Sequence, residues 1–370
     1  MGWFGRKSAD LPPPFLPFAF EEDRNPFPTG PQAQLNEVFV KNPVGQRAVR
    51  LVAGAVGSLK VYSIEGDEKA AGLLGRCSLL EQAAASLLLH GNAYLQIIEA
   101  LDTPAEIFPL RADRVSVEVD DRGWPRAYLY RAGRKTSRIS RRDHLERVKL
   151  IHVKALNPSQ EQQGLGCLGA ASAAAAIHNR ASHWNKALLD NSARPSGALT
   201  YEPKDGAAMS QSQFERLRQE VERQFCGSLN AGRPMLLEGG LRWQALGLTP
   251  TDMDFVAIKE AAARDIALAF GVPPVLLGLP GDTAYANLRE AGRALYRQTV
   301  LPLAERILSE VSEALSEWLG HVRLAVDTDA ISDLAEDRER LWQMVSSADF
   351  ITDDEKRELL GFKPIAGDVH

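Results

Sequence analysis

The sequence FGVPPVLLGLPGDTAYAN, residues 270–287, separates two helical patterns and decides how the chain is divided. One helical pattern ends at Phe270, and a much longer one begins near Ala286. Between them lie six residues that prevent a regular element from crossing: Gly271, Pro273, Pro274, Gly278, Pro280 and Gly281. The segment also contains four aliphatic residues: Val275, Leu276, Leu277 and Leu279. A loop with this apolar character is expected either to pack on the protein or to face a partner.

Helices are predicted on both sides of this segment. On the N-terminal side the pattern predicts a helix over Asp254–Phe270, and Thr251 to Asp254 resembles a capping box with Asp in place of Glu. On the C-terminal side the pattern runs over about 286–319, a length on the order of 50 Å at the rise of an α-helix. Pro302 lies inside it and is expected to kink the helix.

The N-terminal half predicts an α+β domain over residues 34–156. Helices are predicted over Val44–Val56 and Ser78–His90, with Gly91 ending the second. The predicted strands are Ser58–Ile64, Ala93–Glu99, Arg114–Val119, Arg126–Arg131 and Lys149–Val153. Residues 8–31 contain seven prolines, which predicts an extended arm before the domain.

The remaining elements predict further helices and one small module. An alanine-rich helix is predicted from about Leu168 to Asn191. Residues 195–250 then predict a module too small to be stable alone, with a helix over Ser212–Phe225 between short strands. After the long helix, the pattern predicts a strand over His321–Asp327. It then predicts a helix over Ser332–Ser347 and a short acidic helical segment.

Charge is unevenly distributed along the 370 residues, which carry a formal net charge of −5. Residues 111–154 contain 13 Lys and Arg against 6 Asp and Glu, whereas residues 321–370 contain 6 against 12. The basic stretch is consistent with a surface that faces nucleic acid and equally with ordinary solvated strands and loops. Three widely separated cysteines favour a reducing compartment, and no apolar run reaches the length of a membrane span.

No motif in the sequence supports catalysis or cofactor binding. The sequence GLGCLGA, residues 164–170, fits a dinucleotide-binding pattern, but a polar loop separates it from the nearest predicted strand, so we interpret it as the flexible start of a helix. Asp252 with Asp254, and Asp327 with Asp329, are the carboxylate pairs that a divalent cation would need in a nuclease. No further ligand accompanies either pair, so we interpret them as caps and turn residues. We predict no catalytic residue, no metal and no cofactor.

Several motifs occur in a recognisable order along the chain. They are HGNAY (90–94), GLGCLG (164–169), FGVPPVLLG (270–278), Y-x-N (285–287) and LYRQTVLPL (295–303). In this order the chain resembles the portal protein family of tailed bacteriophages and related gene transfer agents, over roughly residues 35–330. Each motif carries little information alone, and the resemblance depends on the ordered set.

The resemblance implies a non-enzymatic protein that forms a dodecameric ring at one capsid vertex, through which double-stranded DNA is packaged and later leaves. It implies the terminase large subunit, the major capsid protein and the head–tail adaptor as partners. It also implies a location in the virion after assembly in the host bacterial cytoplasm, without a membrane. Two alternatives remain open on the residues alone: a phage-encoded metal-dependent DNA-processing enzyme, and another virion adaptor or scaffold protein.

The portal fold also implies a division of the chain. It comprises a Pro-rich arm (1–33), an α+β wing (34–165 with a returning strand in 320–330), two stem helices (166–194 and 251–270), a small αβ clip (195–250), a tunnel loop (271–285), a long kinked helix (286–319) and a reduced helical crown (331–370). The tunnel loop would present to DNA Leu279, Pro280, Gly281, Asp282, Thr283, Tyr285 and Asn287. The clip would dock the motor and adaptor through Tyr201, Glu202, Glu215, Arg218, Glu222 and Arg233.

The composition of the predicted tunnel loop agrees with that role. Asp282 is the only charged residue from Gly271 to Leu288. A conduit should not hold DNA, and each phosphate that a protein neutralises strengthens binding through the release of counterions. An almost uncharged loop is therefore suited to contact with moving DNA.

Overall fold

The computed structural model describes residues 27–75, 78–190, 197–201, 210–212, 215–216, 219, 241–245, 254–280 and 285–360. Its helices are α1 (Pro31–Leu35), α2 (Pro43–Gly57), α3 (Glu68–Leu74), α4 (Leu79–His90), α5 (Leu168–Asp190), α6 (Phe255–Ala269), α7 (Tyr285–Leu295), α8 (Leu301–Leu319), α9 (Ala335–Ser347) and α10 (Asp353–Leu359). Its strands are β1 (Val61–Glu65), β2 (Asn92–Ala100), β3 (Thr103–Leu110), β4 (Val115–Val119), β5 (Pro125–Ala132), β6 (Lys135–Ser140), β7 (Leu150–Lys154), β8 (Gly197–Tyr201), β9 (Leu241–Ala245) and β10 (Arg323–Val326).

The largest hydrophobic core lies between an antiparallel sheet and a layer of helices. The sheet has the order β3–β2–β7 and buries Leu95, Ile97 and Ile151 on its core face. Helices α2, α4, α5, α6 and α8 contribute to the same core, for example through Ile266 and Ile307. Because the stem-like helices α5 and α6 share this core with the sheet, one hydrophobic unit fixes the segments on both sides of residues 270–287.

A second antiparallel sheet, β4–β5–β6, covers the other face of the first sheet. The contact buries Tyr94 and Leu150 of the first sheet against Tyr128 of the second. His152 stacks on the ring of Tyr94 with 4.3 Å between ring centroids. Burial disfavours the charged imidazole and lowers the pKa of His152 to about 3, so this histidine is a neutral core residue.

Asn42 joins helix α2 to helix α5. Its side-chain oxygen accepts hydrogen bonds from the backbone N–H groups of Val44 and Gly45, both at 3.0 Å, and so caps α2. Its Nδ2 donates to Oδ1 of Asn179 in α5 at 2.9 Å. Asn42 is almost fully buried, so loss of its side chain would leave several polar groups without partners.

Most of the predicted helices and strands are confirmed, with boundaries shifted by a few residues. Four elements were missed: α1, α3, β3 and β6. Strand β3 contains Pro104 and Pro109, and proline is expected only on an edge strand, which is the position that β3 occupies. Strand β6 (KTSRIS) has almost no apolar alternation, because most of it is exposed. The pattern of the sequence therefore did not indicate either strand.

The N-terminal ends of two helices, α1 and α6, differ from the predictions made from the sequence. Helix α1 begins at Pro31, inside the range predicted as an arm, and proline is well suited to the first turn of a helix. Residues 1–26 lie outside the described part of the chain. The predicted capping box before α6 is wrong, because Asp254 is itself the N-cap and accepts a hydrogen bond from the N–H of Ala257 at 3.3 Å.

The long helix after the central segment is interrupted by a π-helical stretch. Helix α7 leads into π-helical residues Tyr296–Val300, and α8 follows directly. Pro302 lies in the first turn of α8. The wider π turn is the local adjustment that a proline requires, because its ring clashes with the preceding turn and it has no N–H.

The far end of α8 is tied to the predicted wing. Glu317 accepts a hydrogen bond from the backbone N–H of Val148 at 2.7 Å and forms an ion pair with Arg142 at 2.9 Å. The indole N–H of Trp318 donates to the backbone oxygen of Val148 at 2.8 Å. Strand β10 then pairs antiparallel with β1, as in the pair Val326 and Val61. The chain therefore returns to the N-terminal sheet region, as the predicted returning strand requires.

The predicted clip is described only in part. Strands β8 and β9 pair antiparallel, with Gly197 opposite Ala245, and helical positions occur within 211–219. Most of residues 202–240, including most of the helix predicted over Ser212–Phe225, lie outside the described residues. Within the part of the chain that the structure describes, no helix is long and apolar enough to cross a membrane.

Candidate functional site

The first half of the central segment packs on the protein. The N–H of Val272 donates to the backbone oxygen of Ala267 at 2.9 Å, and the Val272 side chain is buried. A 3₁₀ turn over Pro274–Leu277 follows, and it places Leu276 and Leu277 against the large core. The apolar residues of this half are therefore explained by packing within the chain.

Two further contacts hold the segment, and neither is evident from the sequence. Thr299, in the π-helical stretch, donates from Oγ1 to the backbone oxygen of Gly271 at 2.7 Å. Arg264 of α6 donates from Nη2 to the backbone oxygen of Pro280 at 2.6 Å. No local pattern could indicate these contacts, because each side chain is far along the chain from the carbonyl that it binds. Gly271 and Pro280 are thus anchored at opposite ends of a short loop.

The predicted channel residues divide between the described and undescribed parts of the loop. Leu279 is half-buried and Pro280 is exposed, whereas Gly281, Asp282 and Thr283 lie outside the described residues. Tyr285 is the first residue of α7, and Asn287 is exposed in its first turn. We call residues 271–277, which the structure shows against the core, the docked part of the loop, and residues 279–287 its outer part. The DNA contact of the outer part stays a prediction.

The predicted clip residues are not brought together by the described structure. Tyr201 ends strand β8, and Glu215 is exposed at a helical position. The other four predicted residues lie outside the described residues: Glu202, Arg218, Glu222 and Arg233. Their role in docking stays a prediction.

The motifs GNAY and GLGCLG form one buried joint. Oδ1 of Asn92 accepts a hydrogen bond from the N–H of Gly164 at 2.8 Å, and Nδ2 donates to the Gly164 oxygen at 3.2 Å. A Cβ on Gly164 would lie 1.9 Å from the oxygen of Gly91, and one on Gly166 would lie 2.3 Å from the oxygen of Leu89. The glycines are required because two backbones touch here.

The same joint argues against the dinucleotide interpretation. A phosphate cradle needs free backbone N–H groups at the start of the helix. Here the N–H of Gly164 is bound by Asn92, and the N–H of Cys167 donates to the backbone oxygen of Leu88 at 2.8 Å. The motif leads into α5 as predicted, but the prediction of a flexible start is wrong, because these contacts fix the segment and hold α5 against the end of α4.

Three of the four carboxylates that might have formed a metal site have local structural roles, and Asp252 lies outside the described residues. Asp254 caps α6, and Asp327 accepts a hydrogen bond from the backbone N–H of Asp329 at 3.0 Å. Asp329 forms an ion pair with Arg338. Among the residues that the structure describes, no group of three or more His, Cys, Asp or Glu side chains is placed to hold a metal ion.

Comparison with known proteins agrees with this architecture. The family model for phage portal proteins matches residues 43–361. The chain belongs to the phage portal protein family. The portal fold and the role of a portal protein follow from this membership, and a DNA-processing enzyme is not favoured.

The portal chain is similar over most of its length to proteins of two kinds. An uncharacterized protein of Rickettsia bellii is 39% identical over 347 residues, which are 89% of each chain. A chain from the virion of a native gene transfer agent particle is 42% identical, with a TM-score of 0.70 over 91% of this chain and 95% of that one. A chain from the neck of a native gene transfer agent particle, computed with C12 symmetry, is also 42% identical. Its TM-score is 0.69, with 92% of this chain and 95% of that one covered.

Proposed function

We propose that this portal protein assembles into a dodecameric ring at one vertex of a virion capsid. Double-stranded DNA enters the particle through the ring during packaging and leaves through it on ejection. The observation that carries the proposal is the 42% identity, over nine-tenths of the chain, to a protein in a particle neck computed with C12 symmetry. The similarity favours a particle related to gene transfer agents.

The exposed faces of the two stem helices support a head-to-tail ring. A ring of identical subunits needs two different complementary faces on each subunit. Helix α5 exposes Ala173 and Ile177, and helix α6 exposes Val256 and Leu268, which are 68% and 79% accessible. Helices α5 and α6 pack on each other, and these exposed apolar side chains are available to neighbouring subunits.

The outer part of the central loop lines the channel in this proposal. The docked residues 271–277 hold the loop against the core, and Arg264 anchors it again at Pro280. Residues 279–287 follow with Asp282 as their one charge. A rigidly held loop with little charge can contact the moving duplex without a strong hold on phosphates.

The other parts of the subunit meet the remaining partners. The clip, residues 195–250, docks the terminase large subunit during packaging and the head–tail adaptor afterwards. The wing contacts the major capsid protein, and assembly takes place in the host bacterial cytoplasm. No catalytic residue or cofactor takes part in this function.

The proposal is tested by negative-stain electron microscopy of the purified protein. Rings with a central channel and twelve subunits are expected. Leu268→Arg should prevent ring formation, because it places a charge in the proposed subunit contact. The matched control is Leu101→Arg, which changes an exposed leucine in the turn between β2 and β3 and should leave rings intact.

Two outcomes would count against the ring. A wild-type protein that remains monomeric at every concentration would contradict it. Metal-dependent DNA cleavage that Asp327→Ala abolishes would favour an enzyme instead.

A further inference from the structure

The basic stretch of residues 111–154 contains two kinds of cation. One kind forms ion pairs: Arg111 with Asp113, Arg138 with Glu118, Arg142 with Glu317, Arg147 with Asp143, and Lys149 with Glu99. The other kind forms no ion pair within 4.0 Å among the described residues, and it comprises Arg114, Arg122, Arg126, Arg131, Arg134, Lys135, Arg141 and Lys154. Four of these eight cations, Arg114, Arg131, Arg134 and Lys135, are grouped in one place.

These four cations lie at one end of the sheet β4–β5–β6. Strands β5 and β6 are joined by a two-residue turn, Gly133–Arg134, so Arg131 and Lys135 lie beside the turn. Gly133 has φ of +62°, which a tight hairpin turn of this length requires at its first position. Arg114 directly precedes β4, whose first residue pairs with Tyr130, so it lies next to Arg131. All four side chains are exposed.

An open cleft of about 360 Å³ lies among these residues. Arg114, Ser116, Arg131 and Gly133 line it, together with Asp113. Arg111 donates two hydrogen bonds to the Asp113 carboxylate, at 3.0 and 2.6 Å. Burial tends to raise the pKa of Asp113, but the bonds from Arg111 outweigh it and hold the pKa below its usual value. The one acid of the cleft is thus already neutralised by a partner.

We propose that this hairpin surface, formed by Arg114, Ser116, Arg131, Gly133 and Arg134, binds the phosphate backbone of double-stranded DNA. The contact is separate from the channel loop and holds DNA that lies against the wing. This inference depends on the proposed function only in assuming that DNA is present beside the ring. Because the cations face phosphates rather than base edges, the binding does not depend on sequence.

The chemistry of the surface favours DNA over a protein partner. A guanidinium group matches the geometry of a phosphate and binds it through paired hydrogen bonds. The residues that continue β6, Thr136 and Ser137, are small and polar, and no large apolar side chain is exposed between residues 131 and 138. Protein interfaces usually have an apolar centre in which charged residues are depleted. This surface has the opposite composition.

The test measures DNA binding by full-length protein against salt concentration. Wild type and the double variant Arg131→Ala/Arg134→Ala are titrated onto a fluorescent 30-base-pair duplex by anisotropy, at several salt concentrations between roughly 50 and 200 mM. Each lost phosphate contact should reduce the slope of log K against log salt by about 0.9. For the double variant, the magnitude of this slope should therefore be smaller by about 2. Its affinity for the duplex near 0.1 M salt should be weaker by a factor of several tens.

The matched control removes two charges that already have partners. The double variant Arg138→Ala/Lys149→Ala changes the net charge equally, but it should leave the slope close to wild type. Equal slopes for all three proteins, or equal losses in both double variants, would overturn the proposal. An unchanged slope combined with failure of the hairpin variant to enter capsids would assign the surface to an acidic face of a partner protein. Negative-stain microscopy of the same samples shows independently whether rings form. Loss of the ring can therefore be distinguished from loss of this DNA contact.

Discussion

Two glycine-containing segments of this portal protein, residues 164–169 and 271–278, use glycine for different physical reasons. In the first segment, Gly164 and Gly166 are required for space, because the backbone of another segment occupies the position of a Cβ. In the second segment, Gly271 and Gly278 have φ of +64° and +73°, so they are required for backbone conformation. The first segment is a fixed joint between two backbones, whereas the second belongs to a loop that is held at Gly271 and again at Pro280.

This difference indicates which of the two segments can contact a partner. The joint between Gly164–Gly166 and Asn92 is closed by backbone contacts and hydrogen bonds, so no ligand fits there. Among the described loop residues, Val272, Leu276 and Leu277 pack on the large core, and a Cβ on Gly278 would meet no atom within 4 Å. The open end of the loop is therefore the place where a partner can make contact.

The largest expected effect comes from closing the space at the joint. Gly166→Ala would place its Cβ 2.3 Å from the oxygen of Leu89 and 2.7 Å from the nitrogen of Gly91. Both are backbone atoms and cannot move without separating α5 from β2. We expect a loss of about 3 kcal/mol in the free energy of local unfolding. Hydrogen exchange of amides in α4 and β2 should become about a hundredfold faster.

A control for this prediction lies three residues along the same motif. Gly169 is in the first turn of α5, and a Cβ there would meet no atom within 4 Å. Gly169→Ala should leave exchange in α4 and β2 unchanged, or stabilise α5 by roughly 0.5 kcal/mol, because alanine favours helix. If both variants gave the same exchange rates, the conclusion that Gly166 is required for lack of space would be wrong.

The sequence predicted elements well where local patterning determines them. Helix α5 follows from its alanine-rich pattern, and the turn from α4 into β2 follows from Gly91, which has φ of +72°. It did not predict β6, whose side chains are largely exposed, or the π-helical stretch before Pro302, which is a backbone adjustment. Periodicity reports burial, and it cannot report an element that is defined by strand pairing or by backbone adjustment.

The candidate site was predicted in composition but not in geometry. The low charge of residues 271–288 is visible in the sequence, whereas the contacts from Thr299 and Arg264 are not. The basic stretch was likewise visible. Its division into paired and unpaired cations depends on partners as distant as Glu317, which pairs with Arg142. Long-range partners of this kind are fixed only by the fold.

A smaller effect is expected from the docked end of the loop. Gly271→Ala imposes a left-handed conformation on alanine, at about 1 kcal/mol, and its Cβ would lie 2.9 Å from Oγ1 of Thr299. The threonine must then move and lose its hydrogen bond to the Gly271 oxygen, at roughly 1 kcal/mol more. Gly278→Ala carries only the conformational cost. Hydrogen exchange across α6 and the start of α7 should therefore increase more for Gly271→Ala, and equal increases would show that Thr299 does not secure the loop.

The smallest effect on stability, and a large one on function, is expected at the outer part of the loop. Asp282→Arg and Thr283→Arg each add positive charge where the proposal places passing DNA, so each subunit of the ring would gain a phosphate contact. Rings should form as in wild type, while the amount of DNA packaged per particle should fall. The matched control Asp282→Asn removes the charge without adding a cation, and it should package normally. If both arginine variants packaged as well as wild type, residues 279–287 would not lie beside the DNA, and the loop would be only a packed connection between α6 and α7.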